Sequence, residues 1–247
     1  MARQRLGQHF LIRGSVLERI ARAACPEWEP LVIEIGPGRG ALTSRLLEHV
    51  DRVIAVELDP WLARSLAPQD GLEVVEGDAL EIDLGQWGPA VVVGNLPYYA
   101  ATAIIERVVA LGPLLRRGVF LVQKEVAQRI TATPGSREYG YLSVALQLGA
   151  EVEFLFEVKP AAFHPPPKVD SAVCRLVPHN RAAEVGITDR AEFLHFVSRC
   201  FRQKRKTLRN NLVGEYGARV DDWPEVSMRA EQIPLQTFAA MYQRLVT

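Results

Sequence analysis

Between residues 31 and 123, short apolar runs alternate with helical segments, and this alternation restricts the possible folds more than any other feature of the chain. The runs at 31–35, 52–57, 72–75, 90–94 and 118–123 have the length and apolar content of buried strands. Between them, 42–49, a short stretch from about Trp61, 102–111 and 124–131 carry helical patterning. Strand–helix alternation of this kind predicts an α/β fold with a doubly wound, mostly parallel sheet and helices on both faces. Ahead of it, Ser15-Val16-Leu17-Glu18 has the form of a capping box opening a helix that runs to about Ala24. Beyond it, 141–148 reads as a helix, and 151–158 and 172–177 as a late strand pair. Between those two strands, Phe163-His164-Pro165-Pro166-Pro167-Lys168 is held extended by its three prolines. After Pro178 the pattern changes: 179–186 reads as a linker, and two or three amphipathic helices follow from near Ala191. Two domains are therefore expected, 1–178 and a small helical one, 179–247.

With 247 residues and 48% hydrophobic content the chain can bury a large core. No apolar run approaches the roughly 20 residues needed to span a bilayer, and the first residues lack the apolar stretch of a secretion signal. Neither a membrane nor an export route is expected. Cys25, Cys174 and Cys200 are odd in number and widely spaced. That pattern fits reduced thiols in a cytoplasmic protein, with neither a disulfide framework nor a metal site.

The net charge is zero, but the charge is unevenly distributed. Residues 57–85 carry eight acids (Glu57, Asp59, Asp70, Glu73, Glu76, Asp78, Glu81, Asp83) and the single base Arg64. Residues 199–211 carry six bases (Arg199, Arg202, Lys204, Arg205, Lys206, Arg209) and no acid, and the first 17 residues carry Arg3, Arg5 and Arg13 without an acid. Basic surface at both ends is a footprint for phosphate; the plain alternative is a solvated helix face.

Four polar features fall at the ends of successive strands. Glu34-Ile35-Gly36-Pro37-Gly38-Arg39-Gly40 spans the end of the first strand, and the glycines just after it let backbone approach a ligand. Gly36, Gly38 and Ala41 also fit the dinucleotide fingerprint, with Glu57 about 20 residues on as the ribose acid. Glu57, ending the second strand, suits the hydroxyls of any nucleoside. Asp78, in Gly77-Asp78-Ala79 after the third, suits an adenine amino group. Asn95-Leu96-Pro97-Tyr98 follows the fourth. There the Asn95 amide oxygen and the Leu96 carbonyl can both accept from an exocyclic amino group. Pro97 restricts the backbone between them, and Tyr98 offers a stacking face for a flipped base. Helix-start, turn and core roles are the plain alternatives for each. A nicotinamide enzyme accounts for the first two features and has no use for the fourth; a methyltransferase using S-adenosyl-L-methionine accounts for all four.

On these motifs the chain resembles the KsgA (RsmA) family of small-subunit ribosomal RNA adenine N6-dimethyltransferases. The resemblance runs from Arg5 to about Leu212. It takes in Gly7-Gln8-His9-Phe10-Leu11, the glycine loop, Glu57-Leu58-Asp59, Gly77-Asp78-Ala79 and Asn95-Leu96-Pro97-Tyr98. It continues through the proline-rich segment 163–173 and the signature Phe201-Arg202-Gln203-Lys204-Arg205-Lys206-Thr207-Leu208-Arg209-Asn210-Asn211-Leu212. It implies a Rossmann-like methyltransferase fold that uses S-adenosyl-L-methionine to dimethylate two adjacent adenosines near the 3′ end of small-subunit ribosomal RNA, with a role in assembly of the subunit. It also implies a monomer acting on RNA in the immature subunit, with no DNA substrate. Implied cofactor contacts are His9, Leu11, Gly36, Gly38, Glu57, Asp78, Ala79 and Asn95. Implied catalytic residues are Asn95, Leu96, Pro97 and Tyr98, with Phe163 as the second face of an adenine clamp. Arg202, Lys204, Arg205, Lys206 and Arg209, expected on a basic helix with no nearby acid, would grip RNA. The alternatives are the Erm-type enzymes of large-subunit RNA, which more often carry Ile at the Leu96 position and lack the Lys-Thr-Leu-Arg-Asn-Asn signature, a DNA adenine methyltransferase, and an assembly factor without chemistry.

Overall fold

A computed structural model of the chain describes residues 9–246. Arg3, Arg5 and the Gly7-Gln8 part of the N-terminal motif lie outside the described residues. A two-residue strand β1 (Phe10–Leu11) and helix α1 (Gly14–Ala24) lead into an alternating series: β2 (Val32–Ile35), α2 (Thr43–Leu46), β3 (Val53–Glu57), α3 (Pro60–Ser65), β4 (Leu72–Glu76), β5 (Ala90–Asn95), α4 (Ala101–Val109), β6 (Leu115–Gln123) and α5 (Lys124–Ile130). Then come α6 (Tyr141–Gln147), β7 (Ala150–Val158), β8 (Phe163–His164), β9 (Ser171–Pro178), and helices α7 (Arg181–Glu184), α8 (Arg190–Cys200), α9 (Leu208–Tyr216) and α10 (Leu235–Val246).

Seven strands form one sheet in the order β4-β3-β2-β5-β6-β9-β7. The pairs β3–β4, β2–β3, β2–β5 and β5–β6 are parallel and β6–β9 is antiparallel, which is the expected mostly parallel α/β sheet. Every residue of β2 and β3 is buried, as a parallel sheet covered on both faces requires. Val91, Val93, Val119 and Leu121, alternate positions of β5 and β6, pack with Leu17, Ile20, Ala21 and Ala24 of α1, following the two-residue period of a strand.

Register then positions the strand ends. Ile35 lies opposite both Val56 and Gly94, so Gly36, Glu57 and Asn95 emerge side by side. Gly94 admits this spacing because a Cβ there would sit 2.7 Å from the Ile35 carbonyl oxygen.

Local details depart from expectation. Helix α1 begins at Gly14 with Arg13 as its N-cap, and no side chain caps it. Ser15 lies within the first turn, and Glu18 pairs with Arg22 at 2.6 Å instead of closing a capping box. The helix expected over 42–49 is regular only through α2. Beyond it Glu48 and His49 donate three residues back, to Arg45 and Leu46, the tightened pattern common at helix ends. The expected linker 179–186 contains α7, capped by the Asn180 side chain.

The chain divides into two compact units, Met1–Ala127 with Val152–Pro178, and Gln128–Glu151 with His179–Thr247. Residues 128–151 therefore separate from the continuous 1–178 block expected from sequence. The physical reason is packing: Ala132, Tyr139, Val144 and Leu148 share an apolar core with Phe193, Phe196, Leu208 and Phe238. Cys25, Cys174 and Cys200 are all unpaired and buried, and burial pushes their thiols well up. Among the described residues no helix is long and apolar enough to cross a membrane.

Two glycines provide opposite tests of this packing. Gly94→Ala drives a methyl into backbone and should cost about 1–3 kcal/mol. Gly214→Ala, exposed in α9 with nothing within 4 Å of its Cβ, should add about 0.5–1 kcal/mol by helix propensity. Urea unfolding of both variants reads the difference; equal shifts would contradict the tight β2–β5 approach.

Candidate active site

The C-terminal ends of β2, β3, β4 and β5 open into a cavity of about 740 Å³. It is lined by His9, Leu11, Gly36, Gly38, Glu57, Asp78, Ala79 and Asn95, and by Leu96, Pro97 and Tyr98. Every one of these sequence-selected residues is thus brought to one place. Strand ends in an open α/β sheet are where such a cavity forms.

The glycine loop takes its shape from Gly36 (φ 68°) and Gly38 (φ 58°), conformations that favour glycine. A Cβ on Gly38 would also press to 3.1 Å from the Phe10 ring. The loop is tied to β3 through Glu57, whose carboxylate accepts from the Gly38 N–H at 3.0 Å and the Asp59 N–H at 2.9 Å. Glu57 is only 4% exposed, and the two backbone donors fix its side chain at the cavity wall. Asp78 accepts from the Leu80 N–H at 2.8 Å, which fixes its orientation after β4.

Sequence reasoning passed over Glu34, which also lines the cavity and is 2% exposed. It accepts from Thr43 Oγ1 at 2.6 Å. Burial pushes its carboxyl up to about 7, opposed by the Thr43 hydrogen bond and reinforced by the charge of Glu57. Its place at a fully buried position of β2 was the available signal, since a carboxylate there must be paired or protonated.

On the other side, Asn95 donates through Nδ2 to the His9 carbonyl at 3.0 Å, which leaves Oδ1 as its acceptor. The Leu96 N–H donates to the Leu121 carbonyl at 3.0 Å, and the Pro97 carbonyl accepts from Ala100 and Ala101, both at 3.0 Å. The motif is therefore fixed at both ends. The Tyr98 hydroxyl shares a 3.2 Å hydrogen bond with Ser171 Oγ. The His9 ring lies 5.8 Å from the Tyr98 ring, tilted by 33°, and is held by a 2.8 Å bond from Nδ1 to the Pro165 carbonyl.

Phe163 does not join this group. Strand β8 pairs antiparallel with β1, Leu11 opposite Phe163 and Phe10 opposite His164, and opposed residues share a face. Phe163, 4% exposed, packs into the core with Leu11 and Ala162, while Phe10 and His164 line the cavity. The expected clamp face is thus core: Phe163 is absent from the cavity lining, whereas its neighbour His164 and its cross-strand partner Leu11 are part of it. Arg39, its guanidinium 4.8 Å over the Phe10 ring, and Tyr99 also line the cavity and were not singled out from sequence.

The basic residues belong to the second unit. Arg202, Lys204, Arg205 and Lys206 are exposed, but 201–206 is a turn between α8 and α9, not a helix. Asn211 shapes it: Oδ1 accepts from the Gln203 N–H at 2.9 Å and Nδ2 donates to the Cys200 and Gln203 carbonyls. The expectation that no acid is near Arg202, Lys204, Arg205, Lys206 and Arg209 fails for Arg209, and Arg199, just ahead of them, is also paired. Arg209 pairs with Asp221 and Arg199 with Glu215, both at 2.8 Å, acids that helix packing brings in from 12 and 16 residues away. Lys204 donates to the Arg137 carbonyl.

The chain is 40% identical over 256 residues, 98% of its length and 90% of the relative's, to the ribosomal RNA small subunit methyltransferase A of Acidobacterium capsulatum. Its fold is similar to a dimethyladenosine transferase from Plasmodium falciparum, with TM-score 0.77 and 26% identity over 96% of both chains. It is nearly as similar to the 23S rRNA methyltransferase ErmE, with TM-score 0.74 and 26% identity over 96% of this chain and 100% of that one. Fold likeness alone does not separate the two, but the family description "Ribosomal RNA adenine dimethylase" matches residues 1–246. With strand-end acids, glycine loop and Asn-Leu-Pro-Tyr motif gathered in one cavity, the chain belongs to the ribosomal RNA adenine dimethylase family.

Proposed function

We infer that this enzyme transfers methyl groups from S-adenosyl-L-methionine to the N6 amino group of adenosines in small-subunit ribosomal RNA, twice per adenosine. The observation that carries the reading is Asn95, a cavity-lining residue whose Nδ2 is committed to the His9 carbonyl, which leaves Oδ1 as its acceptor. The identity to small-subunit relatives and the signature Lys206-Thr207-Leu208-Arg209-Asn210-Asn211 favour small- over large-subunit RNA. We place the reaction in the cytoplasm, in a monomer acting on two adjacent adenosines near the 3′ end within an immature subunit. The three unpaired cysteines suit that reducing compartment.

The cavity fits the methyl donor by volume and chemistry. About 740 Å³ lies within the usual range for a small-molecule site. Glu57 would take the ribose hydroxyls and Asp78 the adenine amino group. Gly36 and Gly38 would allow close backbone approach, and His9, Leu11 and Ala79 would complete the walls. The donor supplies an electrophilic methyl on a sulfonium.

The chain's own task is placement. An adenine amino nitrogen is a poor nucleophile because its lone pair is delocalised into the ring. Asn95 Oδ1 and the Leu96 carbonyl, accepting its two hydrogens, favour a pyramidal nitrogen, and Tyr98, anchored by Ser171, supplies a stacking face. Catalysis is then positioning and electrostatics. The amine becomes acidic as the methyl arrives, so its proton can pass to water without a strong base. For the second methylation the site must also admit a monomethyl amine beside Asn95. In the second unit, Arg202, Lys204, Arg205, Lys206 and Arg209 would hold RNA backbone and select the substrate by docking.

Three expectations follow from these assignments. Asn95→Ala should lower turnover on small subunits far more than it lowers S-adenosyl-L-methionine affinity, whereas Glu57→Ala should weaken cofactor binding by about 1.5–3 kcal/mol. Calorimetric titration beside single-turnover kinetics separates the two, and wild-type turnover in Asn95→Ala would overturn the mechanism. Neutralising Lys204, Arg205 and Lys206 together should weaken binding to immature subunits and lower the log–log salt slope by about 0.7–0.9 per lost contact, with cofactor affinity unmoved. An unchanged slope in a folded triple variant would show that these residues only solubilise the turn.

Glu34 yields a pH test. Its folded-state pKa, about 7, stands above the ordinary 4.5, so the fold binds its proton more tightly than the unfolded chain does. That contribution is full below pH 4.5 and is lost as pH rises through about 7, a change on the order of 3 kcal/mol. Urea midpoints at pH 5 and pH 8 should therefore fall more for the wild type than for Glu34→Gln; equal pH responses would rule out a buried, proton-binding Glu34.

A further inference from the structure

The cavity wall carries an aromatic residue that the proposed chemistry does not use. Tyr99, next to Tyr98, is 68% exposed and still lines the cavity, which puts it at the mouth and not in the floor. Its backbone is not loose: it lies in the turn closed by the Ala100 and Ala101 N–H groups on the Pro97 carbonyl. Among the described residues, Ile12, Leu58 and Tyr99, 60%, 43% and 68% exposed, are large apolar side chains that gather on this one opening. Exposed apolar surface concentrated at the rim of a cavity marks a binding surface. The same rim carries the exposed Arg39 guanidinium and the exposed His164 ring, so an apolar face, a cation and a second ring occur together.

That combination suits single-stranded nucleic acid, whose bases stack on aromatic rings while cations meet the backbone. It suits a protein partner less well, since three apolar side chains set around an open cavity offer no continuous apolar face. Delivering one base into the cavity unstacks it from its neighbours, and the neighbour then needs a new surface. Resting on the function proposed above, we propose that Tyr99 is a second base subsite: its ring stacks on the nucleotide flanking the target adenosine, at the mouth of the cavity, outside the reacting group. Any base can occupy it, because every base has a π-face.

The test uses the full chain and immature small subunits as substrate. Steady-state kinetics are measured for wild type, Tyr99→Ala, Tyr99→Leu, Tyr99→Phe and Tyr99→Trp, with S-adenosyl-L-methionine affinity and thermal unfolding alongside. Stacking predicts that Ala and Leu lower kcat/KM by roughly 5- to 100-fold, the range for one lost base stack. Phe and Trp should stay within about twofold of wild type, with cofactor affinity and unfolding unchanged in all four. Wild-type kinetics in Tyr99→Ala, or equal losses in all four variants, would overturn the subsite while leaving the methylation reading standing. A wild-type protein unable to methylate the subunits would overturn that reading and the subsite with it.

Discussion

The register of one central strand organises everything that matters for chemistry here. Strand β2 pairs in parallel with β3 on one side and β5 on the other, Ile35 level with Val56 and with Gly94. The next residue along each strand is therefore a loop glycine, the buried acid Glu57 and the motif asparagine. A one-residue slip would turn each strand's side chains to the opposite face and disperse the set. The buried, β-branched content of these strands prevents the slip. The missing side chain at Gly94 lets β2 and β5 approach closely enough for Asn95 to stand beside Gly36, whose Cβ position is 3.8 Å from the Asn95 carbonyl oxygen.

Around that frame, long-range contacts aim the groups. Glu57 is held by backbone donors from the glycine loop and from the start of α3, so the loop's shape and the acid's direction are set together. Asn95 is oriented by a carbonyl 86 residues earlier, and Tyr98 by a hydroxyl 73 residues later. The β1–β8 pairing fixes the segment beside His9, and the β6–β9 pairing, with Gln123 opposite Ser171, fixes the other. The proline-rich segment thus acts as part of the wall, through His164, and not through Phe163, which helps hold the pairing to the core.

The second unit solves a different problem, how to present cations without burying them. A buried asparagine, Asn211, satisfies the backbone of the turn from both ends. Thr207 caps the helix that follows. The turn can then project Arg202, Arg205 and Lys206 into solvent while Arg199 and Arg209 are paired by acids of neighbouring helical segments. Segment 128–151 belongs to this unit because its apolar side chains find their core there.

The sequence alone determined what depends on neighbours along the chain. Strand and helix alternation follows from local apolar periodicity, so the parallel α/β sheet was legible, and so were Glu57, Asp78 and Asn95, which follow directly from strand ends. Left undetermined were features that depend on which face a short strand turns inward and on which distant side chains meet. Phe163 and His164 are adjacent, and only pairing with Phe10–Leu11 decided that the first is core and the second is wall. Glu34 sits in an apolar run that reads simply as strand, and burial beside Glu57 decided its proton affinity. The basic run looked unopposed because Asp221 and Glu215 lie outside it in sequence. Tertiary packing decided these because burial and charge pairing are set by distance in space, which local patterning does not contain.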